Sequence, residues 1–411
     1  MSHRQALGLH RLSLLSTLYF SQGLPFGFFT QGLPVLLRQR GYGLVEIGLS
    51  SLLALPWALK WLWAPLVDRV HWARFGRRRT WIVGMQLLTV LILAGLALTG
   101  NGASMRLWMW TILLVNLLAA TQDVATDGLA VEFLAPSERG LANGVQVAGY
   151  RLGMVAGGGA LLIWYERLGS VGTFWVMAAL TALATLPVIT LREVPFTATT
   201  SDARPSVHWL RRPGAWRLLA VLVAYKAGEA FATGMLRPFL TDRGMSLAAI
   251  GWLLGTVGFT CGLLGALVGG ALVNRVGRKH ALVAFGLLQA VTIAGYAYAA
   301  LADLGYRALY VLCGAEHFAS GMATAALFTC MMDWSSARSA GTDYTVQASA
   351  VVIATGTAGA LAGLSARGLG YAGHFCLATL LAVGAIAVVV GHFPSEARAR
   401  LLRSASEEQT P

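Results

Sequence analysis

"APLVDRVHWARFGRRRTW", residues 64–81, returns later in the chain as "GGALVNRVGRKHAL", residues 269–282. Asp68 and Arg69 match Asn274 and Arg275 at an offset of 206, and each pair is followed by Gly, Arg and a second basic residue. The same offset carries Asp127 onto Asp333, and "GLANGVQ" (140–146) aligns with "GTDYTVQ" (341–347) at an offset of 201. The chain therefore reads as one unit written twice.

Composition says what the unit is made of. Of 411 residues, 56% are hydrophobic and 12% charged, with a mean hydropathy of +0.63. A water-soluble surface cannot be built from that material. Seven stretches, 12–37, 80–105, 168–191, 244–274, 281–302, 344–366 and 368–395, contain no Asp, Glu, Lys or Arg. Each exceeds the roughly 20 residues that cross a bilayer core. Five more, near 46–66, 107–134, 139–165, 215–240 and 307–333, are as long but carry embedded charges. The expectation is an all-α membrane protein of twelve spans in two pseudo-symmetric six-helix halves. Residues 1–191 form the first bundle, 192–214 a polar, proline-bearing cytoplasmic linker, 215–395 the second bundle and 396–411 a cytoplasmic tail.

A net charge of +13 in a soluble protein would suggest nucleic acid. Here the basic residues follow topology. With both termini in the cytoplasm, 20 of the 31 Lys and Arg fall in cytoplasmic segments and seven in the opposite loops, the bias that sets the orientation of a membrane protein. The first span lacks a small-residue cleavage site and reads as retained. Cys261, Cys313, Cys330 and Cys376 lie in apolar spans without metal-site spacing and read as small hydrophobes.

A charge near the bilayer centre costs a few kcal/mol at least, so each embedded one needs water, a partner or a function. Spans four and five form a hairpin turning near Pro136 and Ser137, with Asp123 and Arg151 each 14 residues from position 137. That places both roughly 20 Å from the turn, so the sequence predicts that they pair. Asp127 lies one turn closer to the cytoplasm. It, or Glu132, is placed to bond Arg69 or the Arg77–Arg79 triplet as a latch with Asp68, and Asn274, Arg275 and Asp333 form its mate in the second half. Static glue between helices is the plainer alternative for these groups. Lys226 and Glu229, three apart, can neutralise one another. Glu316 has no evident partner, the adjacent His317 facing elsewhere, and is a proton-carrier candidate unless a cation of another span, Arg237 included, meets it. Trp57, Lys60 and Trp61 share a face: a cavity wall for an aromatic or anionic solute, or an aromatic belt with a snorkelling lysine. Gln22, Gly23 and Pro25 break up span one as in helices that line a cavity. Glycines at 149, 153 and 157 and at 258, 262, 265 and 269 let helices approach closely, as plain packing or as seams that slide.

Two six-span halves with the loop pattern Asp68, Arg69, Gly76, Arg77, Arg78, Arg79 resemble the major facilitator superfamily, although eight positions from Asp68 to Gly76 exceed the usual spacing. "YFSQGLPFGF" (19–28), "LKWLWAPLVDR" (59–69), "ATQDVATD" (120–127), "ERGLANGVQVAGYR" (138–151) and "YKAGEAFATG" (225–234) look like the AmpG-type permeases over nearly the whole chain. The resemblance implies proton-driven import of an anionic solute by alternating access, through a cavity lined mainly by spans one, four, seven and ten. That group includes anhydromuropeptide importers and ferric-siderophore permeases of the RhtX/FptX type. The shortness of the chain and "MMDWSSARSAGTDYTVQAS" (331–349) point to the siderophore branch, with the anhydromuropeptide permease as the alternative. Protonation of Asp123, freeing Arg151 for the solute, is the expected coupling step. A solute sensor would need a larger cytoplasmic domain. An enzyme would need a catalytic motif, and H-E-x-x-H, G-x-S-x-G and phosphate-binding glycine loops are absent. No cofactor, metal or nucleic acid is expected.

Overall fold

The computed structural model describes residues 3–41, 50–72, 74–100, 104–190, 209–302 and 304–393. Most of the expected linker and all of the expected tail lie outside those residues. The regular structure within them is helical throughout, because a segment in lipid has no water to satisfy its peptide groups and must do so internally.

The chain runs α1 (His3–Gly27), a π-helical turn (Phe28–Gly32), α2 (Leu33–Gln39), a 3-10 turn (Ser50–Ala54), α3 (Leu55–Leu59), a second 3-10 turn (Lys60–Leu62) and α4 (Ala64–Arg69). Then come α5 (Arg77–Leu98), α6 (Met105–Phe133), α7 (Arg139–Met154), a π turn (Val155–Ala160) and α8 (Leu161–Ile189). The remainder is α9 (Ala215–Gly234), α10 (Leu236–Asp242), α11 (Leu247–Trp252), a π turn (Leu253–Gly258), α12 (Phe259–Val276), α13 (Arg278–Leu301), α14 (Tyr306–Asp333) and α15 (Ala340–His392). Among the described residues, eight stretches rather than twelve are long and apolar enough on their own to cross a membrane. The difference has local causes. Residues 12–37, 46–66 and 139–165 are interrupted by the π and 3-10 turns, and the last stretch, Ala337–His392, runs 56 residues through a non-helical Gly370. Span one is not broken at Gln22, Gly23 and Pro25 as expected. The helix passes through Pro25 and loosens only at 28–32, while Gly23 is a contact point, where a Cβ would fall 2.1 Å from the Tyr150 carbonyl.

The doubling is written in the backbone. Gly76 (φ 98°) caps α5 and Gly277 (φ 87°) caps α13, and Gly169 (φ 61°) and Gly370 (φ 67°) turn the chain at the later matching junctions. Side chains rarely adopt such φ values, which is why glycine recurs in both copies. Helices before residue 190 pack mainly on one another, α1 on α7 and α5 on α6 and α8; later ones do likewise, α9 and α13 on α15 and α12 on α14. Outward-facing Leu91, Leu98 and Val311 present an apolar surface suited to acyl chains. The two sets meet where α7 lies on α12, and α3, α4 and α6 on α15.

Candidate functional site

Pro56 and Pro65 each start a short helix, and between them the 3-10 turn at Lys60 swings its side chain inward. There Lys60 Nζ bonds Asp123 Oδ2 and stands 4.0 Å from Asp127 Oδ2. Tyr19 donates to Asp127 Oδ1 at 2.8 Å. The expected Asp123–Arg151 pair is therefore not made. Consecutive spans need not be neighbours: α7 packs on α1 and α12 rather than along α6, and Arg151 lies against Gly262 of α12. Asp127 likewise belongs to this buried cluster rather than to the basic loop. Trp57 hydrogen-bonds Asn116 at 3.0 Å with its ring 5.6 Å from Lys60 Nζ, and Trp61 packs toward Trp209 and Val346. Lys60 is neither snorkelling nor set on an open cavity wall; it is a counter-ion. Gln22 is buried on α1 with an amide that has no partner among the described residues.

In the second set Lys226 Nζ bonds Glu229 Oε2 at 2.5 Å, as its spacing predicts, and Thr324 Oγ1 at 3.0 Å; Ser320 donates to Glu229. Glu316 is buried, with His317 Nδ1 2.9 Å from its Oε2. The ring does not face elsewhere, but its nitrogen also lies 3.0 Å from the Cys313 carbonyl and the carboxyl completes no well-aligned hydrogen bond. Arg151 is half-buried and, among the described residues, makes no ion pair or hydrogen bond. Its guanidinium fills the space beside Gly262 on α12, where a Cβ would sit 1.9 Å from Nη1. Glu229 and Glu316 are the carboxylates whose charge reaches it.

At the face bearing the basic loops the two sets grip each other twice. Arg78 holds Asp68 at 2.6 Å and Glu132 at 2.6 Å, and Arg77 holds Glu132 at 3.2 Å. Asp68 then accepts the Thr342 backbone N–H at 2.8 Å and hydroxyl at 2.6 Å, while Arg77 donates to the Arg338 carbonyl at 2.9 Å. In the mate, Asp333 takes Arg278 and Arg139, each at 2.8 Å. Asn274 donates to the Ser137 carbonyl at 2.5 Å and Arg278 to the Pro136 carbonyl at 2.9 Å. Positions 137 and 338 differ by 201, so each copy's loop seizes the same place on the other copy. Arg69 and Arg275, counted among the latch candidates, point outward and are exposed. Burial opposes ionisation of Asp68, but the Arg78 and Arg77 charges outweigh it and hold the carboxyl below its ordinary range. A lowered carboxyl stays charged until the pH falls through that lowered value. This grip therefore does not titrate near neutrality.

Between the latches and Arg151 the seam is backbone on backbone. A Cβ on Gly144 of α7 would fall 2.7 Å from the Ala266 carbonyl of α12, and one on Gly270 2.5 Å from the Gly140 carbonyl. The glycines singled out from sequence mostly pack inside one set: Gly153 against Phe20 of α1, Gly265 against Phe318 of α14. A cavity of about 290 Å³ lined by Arg243, Leu304, Gly305, Tyr306 and Leu309 involves none of the candidate residues. Replacing Gly144 with valine wedges the seam, since overpacking here must move backbone at about 1–3 kcal/mol. Uptake of the transported solute should fall at least tenfold at unchanged membrane levels of protein. Gly84→Ala, with nothing within 4 Å of the added Cβ, should leave both unchanged.

Sequence reasoning missed Tyr19, Arg139, Thr342, Gly140, Gly144 and Gly270. The two repeat offsets were the available signal for the loop residues; nothing local marked Tyr19. Among the described residues no group of three or more His, Cys, Asp or Glu is placed to hold a metal.

A family model described as acetyl-coenzyme A transporter 1 matches residues 11–105. The anhydromuropeptide permease of Escherichia coli (strain K12) is 33% identical over 334 residues, covering 78% of this chain and 67% of that protein. Putative transporter AmpG 4 of Rickettsia conorii is 25% identical over 397 residues, 93% of this chain and 96% of that one. Among solved structures, a major facilitator superfamily transporter, FucP, in the outward conformation aligns with a TM-score of 0.72 at 13% identity, covering 95% of this chain and 100% of that one. The human organic anion transporter MFSD10 aligns at 0.70 and 16% identity, covering 93% and 99%.

Proposed function

This chain belongs to the AmpG family of the major facilitator superfamily, and on that premise we propose that it imports a bulky anionic solute of the anhydromuropeptide class across the bacterial inner membrane. It is a multi-pass secondary transporter and not an enzyme. The observation that carries the solute reading is Arg151: a cation beside Gly262, where the two sets meet, with carboxylates in its field but no partner of its own among the described residues. Such a charge is costly in a membrane unless a ligand or water meets it. A permeant anion is the ligand that a transporter has to offer.

The remaining parts follow from the same arrangement. Twelve spans, bundles at 1–191 and 215–395 and cytoplasmic termini put the basic-loop face in the cytoplasm, so the described state is closed to the cytoplasm by its two latches. Solute meets Arg151 from the periplasm, the halves rock, the latches and the glycine seam part, and release follows inside. Lys226 and Glu229, partly exposed near the same level, are the polar groups placed to meet the solute's uncharged portions. A proton gradient drives the cycle.

The relatives support a muropeptide over a ferric siderophore. One is named an anhydromuropeptide permease, and the iron-chelate expectation has no counterpart among the relatives named above. The experiment is uptake of radiolabelled anhydromuropeptide and of ferric siderophores into right-side-out vesicles under an imposed proton gradient. Accumulation of the muropeptide alone is expected; accumulation of a siderophore alone overturns the assignment.

A further inference from the structure

We infer that the Lys60, Asp123, Asp127 and Tyr19 cluster is the proton-binding site of the transport cycle, with the exchangeable proton on the Asp127 carboxyl and the solute's cation site separate at Arg151. The inference rests on the transport reading above and replaces the expected coupling by an Asp123–Arg151 pair, which the structure does not contain.

Charge counting carries it. The cluster holds two carboxyls and one ammonium, with side chains only 3% (Lys60), 10% (Asp123) and 3% (Asp127) exposed. Lys60 is committed to Asp123 and reaches Asp127 only at 4.0 Å. The titratable groups facing the carboxyls from the packed elements are Tyr19 from α1, Lys60 from its turn, Tyr150 from α7 and Tyr344 from α15. Lys60 is the one cation among them. Two ionised carboxylates one helical turn apart beside the single Lys60 ammonium, bonded to one and 4.0 Å from the other, leave one buried negative charge uncompensated, an arrangement that dyads avoid by sharing a proton. The proton belongs on Asp127, the member without the ammonium's direct bond.

Position supplies the coupling. Asp123 is the more exposed carboxyl and Asp127 lies one turn nearer the latches. A proton arriving from the periplasmic side reaches Asp123 and passes to Asp127, one turn along α6, which leaves Asp123 ionised on Lys60. Tyr344 belongs to the other half, so parting of the halves removes it and opens Asp127 to cytoplasmic water, which takes the proton and leaves a carboxylate. Loading therefore belongs to the closed state and release to the opened one. The solute anion at Arg151 travels with the proton without sharing its site.

The test uses the purified full chain in lipid nanodiscs without solute. Infrared difference spectra across an acid pH step should show a carboxylic C=O stretch that is lost in Asp127→Asn. In Tyr19→Phe, which deletes a bond to the ionised form, the same band should titrate at higher pH. In vesicles, Asp127→Asn should keep solute counterflow but lose gradient-driven accumulation at least tenfold. An unaltered band in Asp127→Asn, or an unshifted one in Tyr19→Phe, overturns the assignment. The infrared arm needs no solute, so a wrong solute class shows only in the vesicles and leaves the proton site standing.

Discussion

Arg151→Gln should weaken solute binding by about 30-fold or more and, unusually for the loss of a half-buried arginine, should not lower thermal stability. The first effect is the loss of a charge-assisted contact at a desolvated site, on the order of 2 kcal/mol at the least, which converts to roughly 30-fold. The second follows from the absence of any ion-pair or hydrogen-bond partner among the described residues. Most buried arginines leave an orphaned carboxylate behind when removed, at about 3–5 kcal/mol. Here no ion pair is broken, and the variant sheds the cost of holding a bare cation beside Gly262. Arg151→Lys, which keeps the charge but not the planar fork, should bind at an intermediate level. Equilibrium binding of labelled anhydromuropeptide to detergent-solubilised protein, with a thermal melt of the same samples, reads both effects. Undiminished binding by Arg151→Gln would remove the cation from the solute site.

Much of this architecture was legible in the residues, because it rests on quantities a sequence states directly. Apolar length named a membrane protein. The two offsets, 206 and 201, named a doubled one, and they reappear as matched latches and matched positive-φ glycines at 76 and 277 and at 169 and 370. Lys226 and Glu229 paired because i,i+3 spacing on one helix leaves no freedom to do otherwise. What failed was the choice of neighbour: the helices of spans four and five do not pack along each other, α7 lying on α1 and α12, and a 3-10 turn after Pro56 delivers Lys60 to Asp123. Backbone irregularities of that kind are set by tertiary packing, and no local motif announces them. The glycine signal failed in a related way. Spacing of three or four residues identifies helices that approach closely, but says nothing about which neighbour they approach. The glycines with long regular spacing turned out to join α1 to α7 and α12 to α14, whereas the seam between the halves uses the shorter set at 140, 144 and 270.

The latches give the transport cycle its most exposed consequence. On the proposed topology, the seam of α7 on α12 and the interlocked loops at Ser137 and Asn274 stand between Arg151 and the cytoplasm. Fixing those loops together should stop transport completely while leaving the outer approach to Arg151 untouched. Salt and pH offer no such control, since the Asp68 grip stays ionised through the neutral range and the Asp333 pairs are largely shielded from solvent. Covalent closure does. In a background with Cys261, Cys313, Cys330 and Cys376 replaced by serine or alanine, cysteines at positions 137 and 274 can be bridged by a short bis-methanethiosulfonate and released again by reductant. Bridging should reduce vesicle uptake of the solute to background, retain its binding from the periplasmic side, and restore full uptake on reduction. Uptake that continues at the uncrosslinked rate with the bridge in place would contradict the claim that solute leaves between two halves that part at this face.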